Sequence, residues 1–273
     1  MTKQDIAILM YHAFLERFQP GAHPVHILQA NFIEQMNWLA AQNYRTLRLD
    51  EAVTALAKGQ ALPERSVVLT FDDGYYSLHS FVRPLLARLG FVATLFLTTD
   101  PVDRPGYGDD WGIKAKNCPE KERPLSWAEV GELSSSGWDI EAHSCSHPYL
   151  SGLTPGALQY EVIECKDRIE AYLKVPVRYY AYPFGDYNRT VLQAVRNAGY
   201  KAACSVHTGK ASGADLLRLP RIEINNRDNL ERFQSKVETG YESGKERWRA
   251  RVRNMAYFSP AVKDLLQFPS RRG

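Results

Sequence analysis

The chain has 273 residues, of which 44% are hydrophobic, 24% charged and 11% aromatic, values of an ordinary globular protein that exclude disorder and collagen-like repetition. The four cysteines, Cys118, Cys145, Cys165 and Cys204, lack CxxC spacing and are too few for a disulfide scaffold, and no apolar run reaches the roughly 18 residues of a membrane span. The formal charge of +3 is uneven: from Lys245 to Gly273 eight Lys or Arg face only Glu246 and Asp264, so the basic character belongs to the tail.

In chain order, the opening MTKQDIAILMYH lacks the layout of a secretory signal. On that reading the chain is cytoplasmic or membrane-associated, or a cell-envelope protein if its N-terminus was trimmed. Apolar runs suited to buried strands lie at 6–11, 66–71, 91–97, 138–142, 178–182, 201–206 and 219–224. Segments of helical period fall between them at 29–43, 50–58, 77–89, 126–136, 154–174 and 188–198. Strand and helix taking turns predicts an α/β fold with a mainly parallel sheet, either closed into a barrel or open and doubly wound. Residues 1–244 are expected to form one domain and 245–273 a basic tail. The stretch from Asp100 to Pro124, rich in Pro, Gly and charge, reads as a loop insertion.

A parallel sheet gathers its functional loops at the carboxyl ends of its strands, and two polar motifs sit there. In TFDDGY (70–75) successive side chains point to opposite sides, so Asp72 and Asp73 can take different tasks in one site. In HSCSH, His143 and His147 are four apart, a spacing that on a helical turn lets two imidazoles converge on one ion. Two histidines and one carboxylate make a three-ligand site with positions left open for water and substrate, which is a catalytic arrangement. If Asp73 binds the metal, Asp72 is left to accept a proton from water. The same ligand set describes non-haem iron oxygenases, but the additional aspartate favours hydrolysis.

With these two motifs the sequence resembles the polysaccharide deacetylase family of carbohydrate esterases, the NodB-homology domain, over most of residues 6–225. The resemblance implies a distorted (β/α) barrel of about seven parallel strands and an enzyme that removes the N-acetyl group from an N-acetylated amino sugar. It makes Asp72 the catalytic base and Asp73, His143 and His147 the ligands of a divalent metal, Zn²⁺ first, with Co, Ni or Fe as alternatives. AYPFGDYN (181–188) resembles the groove-lining proline motif of the family, with Tyr182, Pro183, Phe184 and Gly185, and a backbone NH at Phe184 is implied for the oxyanion. The peptidoglycan and chitin deacetylases of the family have Arg two residues before that proline, where this chain has Ala181. Arg221 in RLPRIEI, at the end of a late strand, is the candidate to orient the base instead, with a surface salt bridge as the plainer reading.

The opening ILMYH resembles the subgroup acting on poly-N-acetylglucosamine, in which circular permutation carries the acid-bearing segment to the N-terminus. That implies His12 as general acid, with His207 in CSVHTG as the alternative. His23, His26 and His79 are expected at the surface. Tyr75, Tyr76, Trp111, Trp127 and Tyr187 are candidates to stack on sugar faces. Trp248, Val252 and Met255 recur at helical spacing among arginines, suiting contact of residues 245–273 with an anionic membrane surface or lipid phosphate. Nucleic acid is not indicated. The competing readings are a carbohydrate-binding protein that keeps the metal without turnover, and a sugar deformylase or other amidase of the same fold.

Overall fold

A computed structural model describes residues 5–17, 22–107 and 122–249. Trp111 and residues 250–273, with Val252 and Met255, lie outside the described residues. In chain order the elements are β1 (Ala7–Tyr11), β2 (Phe14–Leu15), β3 (Ile27–Leu28), α1 (Gln29–Ala41), β4 (Arg45–Thr46), α2 (Leu49–Lys58), β5 (Ser66–Asp73), α3 (Arg83–Leu89), β6 (Thr94–Leu97), α4 (Trp127–Ser135), β7 (Asp139–Ala142), α5 (Pro155–Gln159), α6 (Cys165–Leu173), β8 (Tyr179–Ala181), α7 (Arg189–Asn197), β9 (Ala202–Cys204), β10 (Ile222–Glu223) and α8 (Leu230–Thr239).

The main sheet runs β10-β1-β5-β6-β7-β8-β9, with β4 joined to the start of β5, and its pairings are parallel. One segment closes the ring. Leu219 bridges Cys204 in parallel, and Ile222 and Glu223 pair with Leu9 and Met10. The result is the expected distorted barrel of about seven parallel strands. No helix among the described residues is long and apolar enough to cross a membrane.

The two-residue period of the strands sorts their side chains into two packing clusters. Ala7, Leu9 and Tyr11 of β1 and Val67, Leu69 and Phe71 of β5 join one core with Phe32, Met36 and Leu39, which α1 places one helical turn apart. The alternate residues Ile6, Ile8, Val68, Phe96, Ala181 and Cys204 form an inner cluster, into which α2 sets Leu49, Ala52, Val53 and Leu56. By the same alternation Asp72 follows Val68 and Thr70 on the inner side of β5, and His12 follows Ile8 and Met10 along β1. Asp72 and His12 are thus the terminal members of inward-facing columns.

Where β7 and β8 pair only at Ala142 and Tyr180, the Glu141 carboxylate stands in for the missing ladder, accepting hydrogen bonds from the amides of Arg178 at 2.7 Å and Tyr179 at 2.8 Å. Burial outweighs those amides and pushes its pKa up to about 8.

The predicted helix over 154–174 is present but interrupted. A π-helical turn at Tyr160–Glu164 separates α5 from α6, and another at Leu78–Val82 precedes α3. Helix α8 was not expected. Asn229 caps it and it packs Phe233 and Val237 inward, an apolar spacing diluted in sequence by the charges between them. His26 is a correction: it is fully buried rather than at the surface, with its ring 5.6 Å from that of Tyr75, and burial lowers its pKa to about 3. Val25 and Ile27 on either side of it are buried too, and Ile27 pairs with Phe14 as β3 joins β2.

Candidate active site

Strand β5 is buried from Val67 onward and ends in a sharp turn: Asp73 and Gly74 are both left-handed, with φ of 74° and 95°, and the Gly74 amide donates to the Asp72 carbonyl at 2.9 Å. Only glycine suits the second position, because a Cβ there would stand 2.7 Å from Leu97 Cδ1. A left-handed aspartate is unusual enough to mark a functional position, since such backbone strain persists only where the surroundings impose it. The turn frees Asp73 from the strand's alternation, so both carboxylates serve one site.

The segment after β7 departs from expectation. His143 to His147 do not form a helical turn; they form a loop in which Ser144 (φ 68°) and His147 (φ 59°) are left-handed. The two imidazoles still converge, with ring centroids 4.8 Å apart, because the loop doubles back. His143 Nε2 lies 3.6 Å and His147 Nε2 3.5 Å from Asp73 Oδ1, and one ligand atom from each of the three residues falls within 4.8 Å of the others. His143 Nδ1 donates to the Ala181 carbonyl at 2.9 Å, which fixes the tautomer and leaves the Nε2 lone pair available to a cation.

This donor set fits a divalent cation. The Asp73 carboxylate is buried, and neither oxygen has a hydrogen bond of good geometry, the nearby Tyr75 hydroxyl aside. Burial and the neighbouring Asp72 drive its pKa well above the usual carboxylate range. Burial also lowers the pKa of His143 and pushes that of His147 far down, which keeps both imidazoles neutral as ligands must be.

Asp72 is held differently. Arg221, with no exposed surface, grips it with two parallel bonds, Nη1 to Oδ1 at 2.6 Å and Nη2 to Oδ2 at 2.7 Å. The guanidinium also donates to Ser205 O at 3.2 Å and to Thr70 Oγ1 at 3.3 Å, and lies 5.2 Å from the Phe96 ring centroid. Burial alone would raise the pKa of Asp72, but Arg221 with His143 and His12 overrides it and holds the carboxyl at about 2. Asp72 is therefore an ionised carboxylate next to the three-ligand cluster, its Oδ2 3.8 Å from His143 Nε2. This arginine is no surface salt bridge, and it precedes β10 rather than ending a strand, in the segment that closes the ring.

His12 stands close enough to feel Asp72, Arg221 and His143. Burial, the largest effect, lowers its pKa to about 4, with Asp72 pulling the other way. His207 lies with Nδ1 2.8 Å from Ser205 Oγ and its ring 5.8 Å from that of Tyr187.

The sequence profile of polysaccharide deacetylases matches residues 59–203, more than half of the chain and the stretch that carries the two aspartates and both histidines. The chain belongs to the polysaccharide deacetylase family. YxkH of Bacillus subtilis (strain 168), which bears the name of a polysaccharide deacetylase, is 28% identical over 220 residues, 80% of this chain and 71% of that one. The poly-beta-1,6-N-acetyl-D-glucosamine N-deacetylase of Escherichia coli (strain K12) is 26% identical over 247 residues, 78% of this chain but 36% of that protein. Among solved structures, the Streptococcus pyogenes deacetylase PplD in complex with acetate has a TM-score of 0.76 at 26% identity, over 86% of this chain and 99% of that one.

The aromatic residues around this deacetylase-family site are sorted by burial, which their spacing in sequence does not reveal. Tyr75 and Tyr182 are fully buried, so neither offers a face to a sugar, a correction to the expectation that they bind substrate. Tyr75 packs between His26 and Tyr107, and Tyr182 donates to the Leu217 carbonyl at 3.0 Å. Pro183 is buried while Gly185 and Tyr187 are half-buried. Trp127 stacks on Tyr172, 4.9 Å away.

Tyr149 is an exposed aromatic beside the cluster that carried no expectation from the sequence. It is 63% exposed and stacks on Phe184 at 4.2 Å and 16°; Phe184, itself 39% exposed, meets the His147 ring edge-on at 4.5 Å. Phe184 is held outward by left-handed backbone, φ 56°, followed by Gly185 at 65°. Its position two residues after a predicted ligand was the available signal for Tyr149.

Proposed function

We propose that this protein hydrolyses the N-acetyl group of an N-acetylated amino sugar, in a polysaccharide, oligosaccharide or lipid-linked glycan, to acetate and a free amine. The observation that carries this reading is the juxtaposition of a buried Asp73, His143 and His147 donor set with a second aspartate kept ionised beside it by Arg221. Those three residues would hold the divalent metal, with Zn²⁺ the first choice and Co, Ni or Fe the alternatives. A metal ion there supplies Lewis-acid polarisation of the acetamido carbonyl and makes water more acidic.

The chain's own groups do the rest. Asp72, ionised at neutral pH, accepts the proton from the attacking water at one of its oxygens, and Arg221 keeps it charged and oriented until then. The peptide NH at Phe184 would donate to the carbonyl oxygen as negative charge develops on it, a role supported by the Phe184 ring meeting that of His147 edge-on at 4.5 Å. His12 gives the leaving nitrogen its proton. Burial keeps His12 neutral in the free protein, so that proton reaches it during turnover, and Asp72 close by is the group that gains one. The exposed Tyr149 and Phe184 rings support a sugar as the substrate, since an aromatic face packs well on the CH-rich face of a pyranose.

A panel of N-acetylated and N-formylated glucosamine oligomers tests the reading. Wild type is expected to release acetate, His12→Ala to lose about 10²- to 10⁴-fold in rate, and His207→Ala to retain most of it. The reverse ranking of the two variants would transfer the acid to His207. Preference for the formylated series would make the protein a deformylase, and metal binding with no release from either series would make it a sugar-binding protein.

A further inference from the structure

The loop that carries both histidines of the metal cluster has its carbonyls and amides held by different parts of the fold. On the carbonyl side, Thr98 Oγ1 donates to His143 O at 3.1 Å, the Thr99 amide to Ser144 O at 3.3 Å and the Asp100 amide to Cys145 O at 2.9 Å. On the amide side, the Cys145 and Ser146 N–H groups both donate to Glu161 Oε2, at 2.8 and 2.9 Å, and the Ser146 hydroxyl donates to Glu161 Oε1 at 2.6 Å. Two successive amides that follow a left-handed residue form a concave anion-binding nest, and here a carboxylate fills it from within the chain.

Glu161 is buried, and it lies on the π-helical turn at Tyr160–Glu164 between α5 and α6. Such turns are rare and concentrate at functional positions, because they re-aim a side chain that a regular helix would point elsewhere. The loop has a left-handed residue at Ser144 and another at His147, so its conformation is strained and must be imposed from outside.

We infer that Glu161 is the positioning residue of the metal centre: its carboxylate, bound in the nest between the two ligand histidines, sets the distance between the imidazoles and thereby the affinity of the cluster for its ion. This rests on the reading of Asp73, His143 and His147 as metal ligands, and it is independent of which acyl group the protein removes. Glutamine in place of Glu161 would keep an acceptor on one side, but it would present NH₂ to the nest or to the Ser146 hydroxyl and remove the charge.

The test titrates metal-free full-length chains with Co²⁺, reading affinity by calorimetry and ligand geometry from the visible d–d absorption, with the thermal unfolding of each metal-free chain as the check on folding. Glu161→Gln is expected to weaken Co²⁺ binding by about 10- to 100-fold and to alter the absorption band. Ser146→Ala, which removes one of the three bonds and leaves the amides paired, is expected to weaken binding by a smaller factor in the same direction. It also decides the matter if Glu161→Gln does not fold. Wild-type affinity and spectrum in a folded Glu161→Gln, or in Ser146→Ala should the former unfold, would overturn the inference. A wild type that binds no Co²⁺ would instead overturn the ligand assignment on which the inference stands. Tight Co²⁺ binding without acetate release would count against the proposed reaction and leave the role of Glu161 intact.

Discussion

Asp72→Asn is expected to lower acetate release by about 10²- to 10⁴-fold while the chain still takes up its metal, because the change removes a proton acceptor and leaves Asp73, His143 and His147 in place. Asparagine has nearly the shape of aspartate and keeps one oxygen for Arg221, so the three-ligand cluster is kept at some cost in stability for the unpaired guanidinium, but its amide cannot take a proton from water at neutral pH. Metal content of the purified variant, measured with its rate, separates this from loss of the centre. Equal rates for the variant and wild type would remove Asp72 from the mechanism.

Arg221→Met is expected to damage stability and turnover together. It leaves Asp72 buried with its counter-ion gone, a change that typically costs about 3–5 kcal/mol. Burial is the largest influence on Asp72 and acts upward, so without the guanidinium its pKa rises from about 2. The sign of the linkage follows from the depressed value in the intact pair. That contribution to stability is fully present above the unfolded carboxylate pKa of 3.8 and is lost as pH falls toward about 2. In Arg221→Met it is missing throughout, and the base is protonated over a range where wild type is ionised. The acid limb of the pH–rate profile should therefore move to higher pH, and Arg221→Lys, which restores the charge without the two-pronged grip, should recover part of the shift. Denaturant unfolding and the pH–rate profile read the two effects separately; an unmoved acid limb would show that the arginine does not control the base.

Much of this site is legible in the sequence, because metal chemistry restricts residue types sharply and strand ends place them. The pair of adjacent aspartates and the HxxxH spacing lead to three residues that the fold does bring together, yet the helical turn that would justify the spacing is absent. The loop instead reaches the same convergence through left-handed Ser144 and His147. Arg221 is visible beforehand only as a late cation, since its partner is 149 positions away and meets it only when Leu219–Glu223 closes the ring. Glu161 gives no motif at all: a glutamate in an amphipathic stretch reads as solvated, whereas here it is buried on a π-helical turn. Aromatic residues are the least legible, because hydrophobicity does not distinguish a packed ring from a presented one. Tyr75 and Tyr182 are buried, whereas Tyr149 is exposed and stacks on Phe184, which meets His147.

The central claim is that Asp73, His143 and His147 hold one divalent ion that the N-deacetylation reaction requires. The direct measurement is metal stoichiometry and acetate release on the same protein before chelation, after chelation, and after re-addition of Zn²⁺ or Co²⁺, with His143→Ala alongside. About one ion per chain is expected, with loss of acetate release on chelation, recovery on re-addition, and neither ion nor recovery in the variant. Undiminished acetate release from fully metal-free protein, or from His143→Ala, would contradict it.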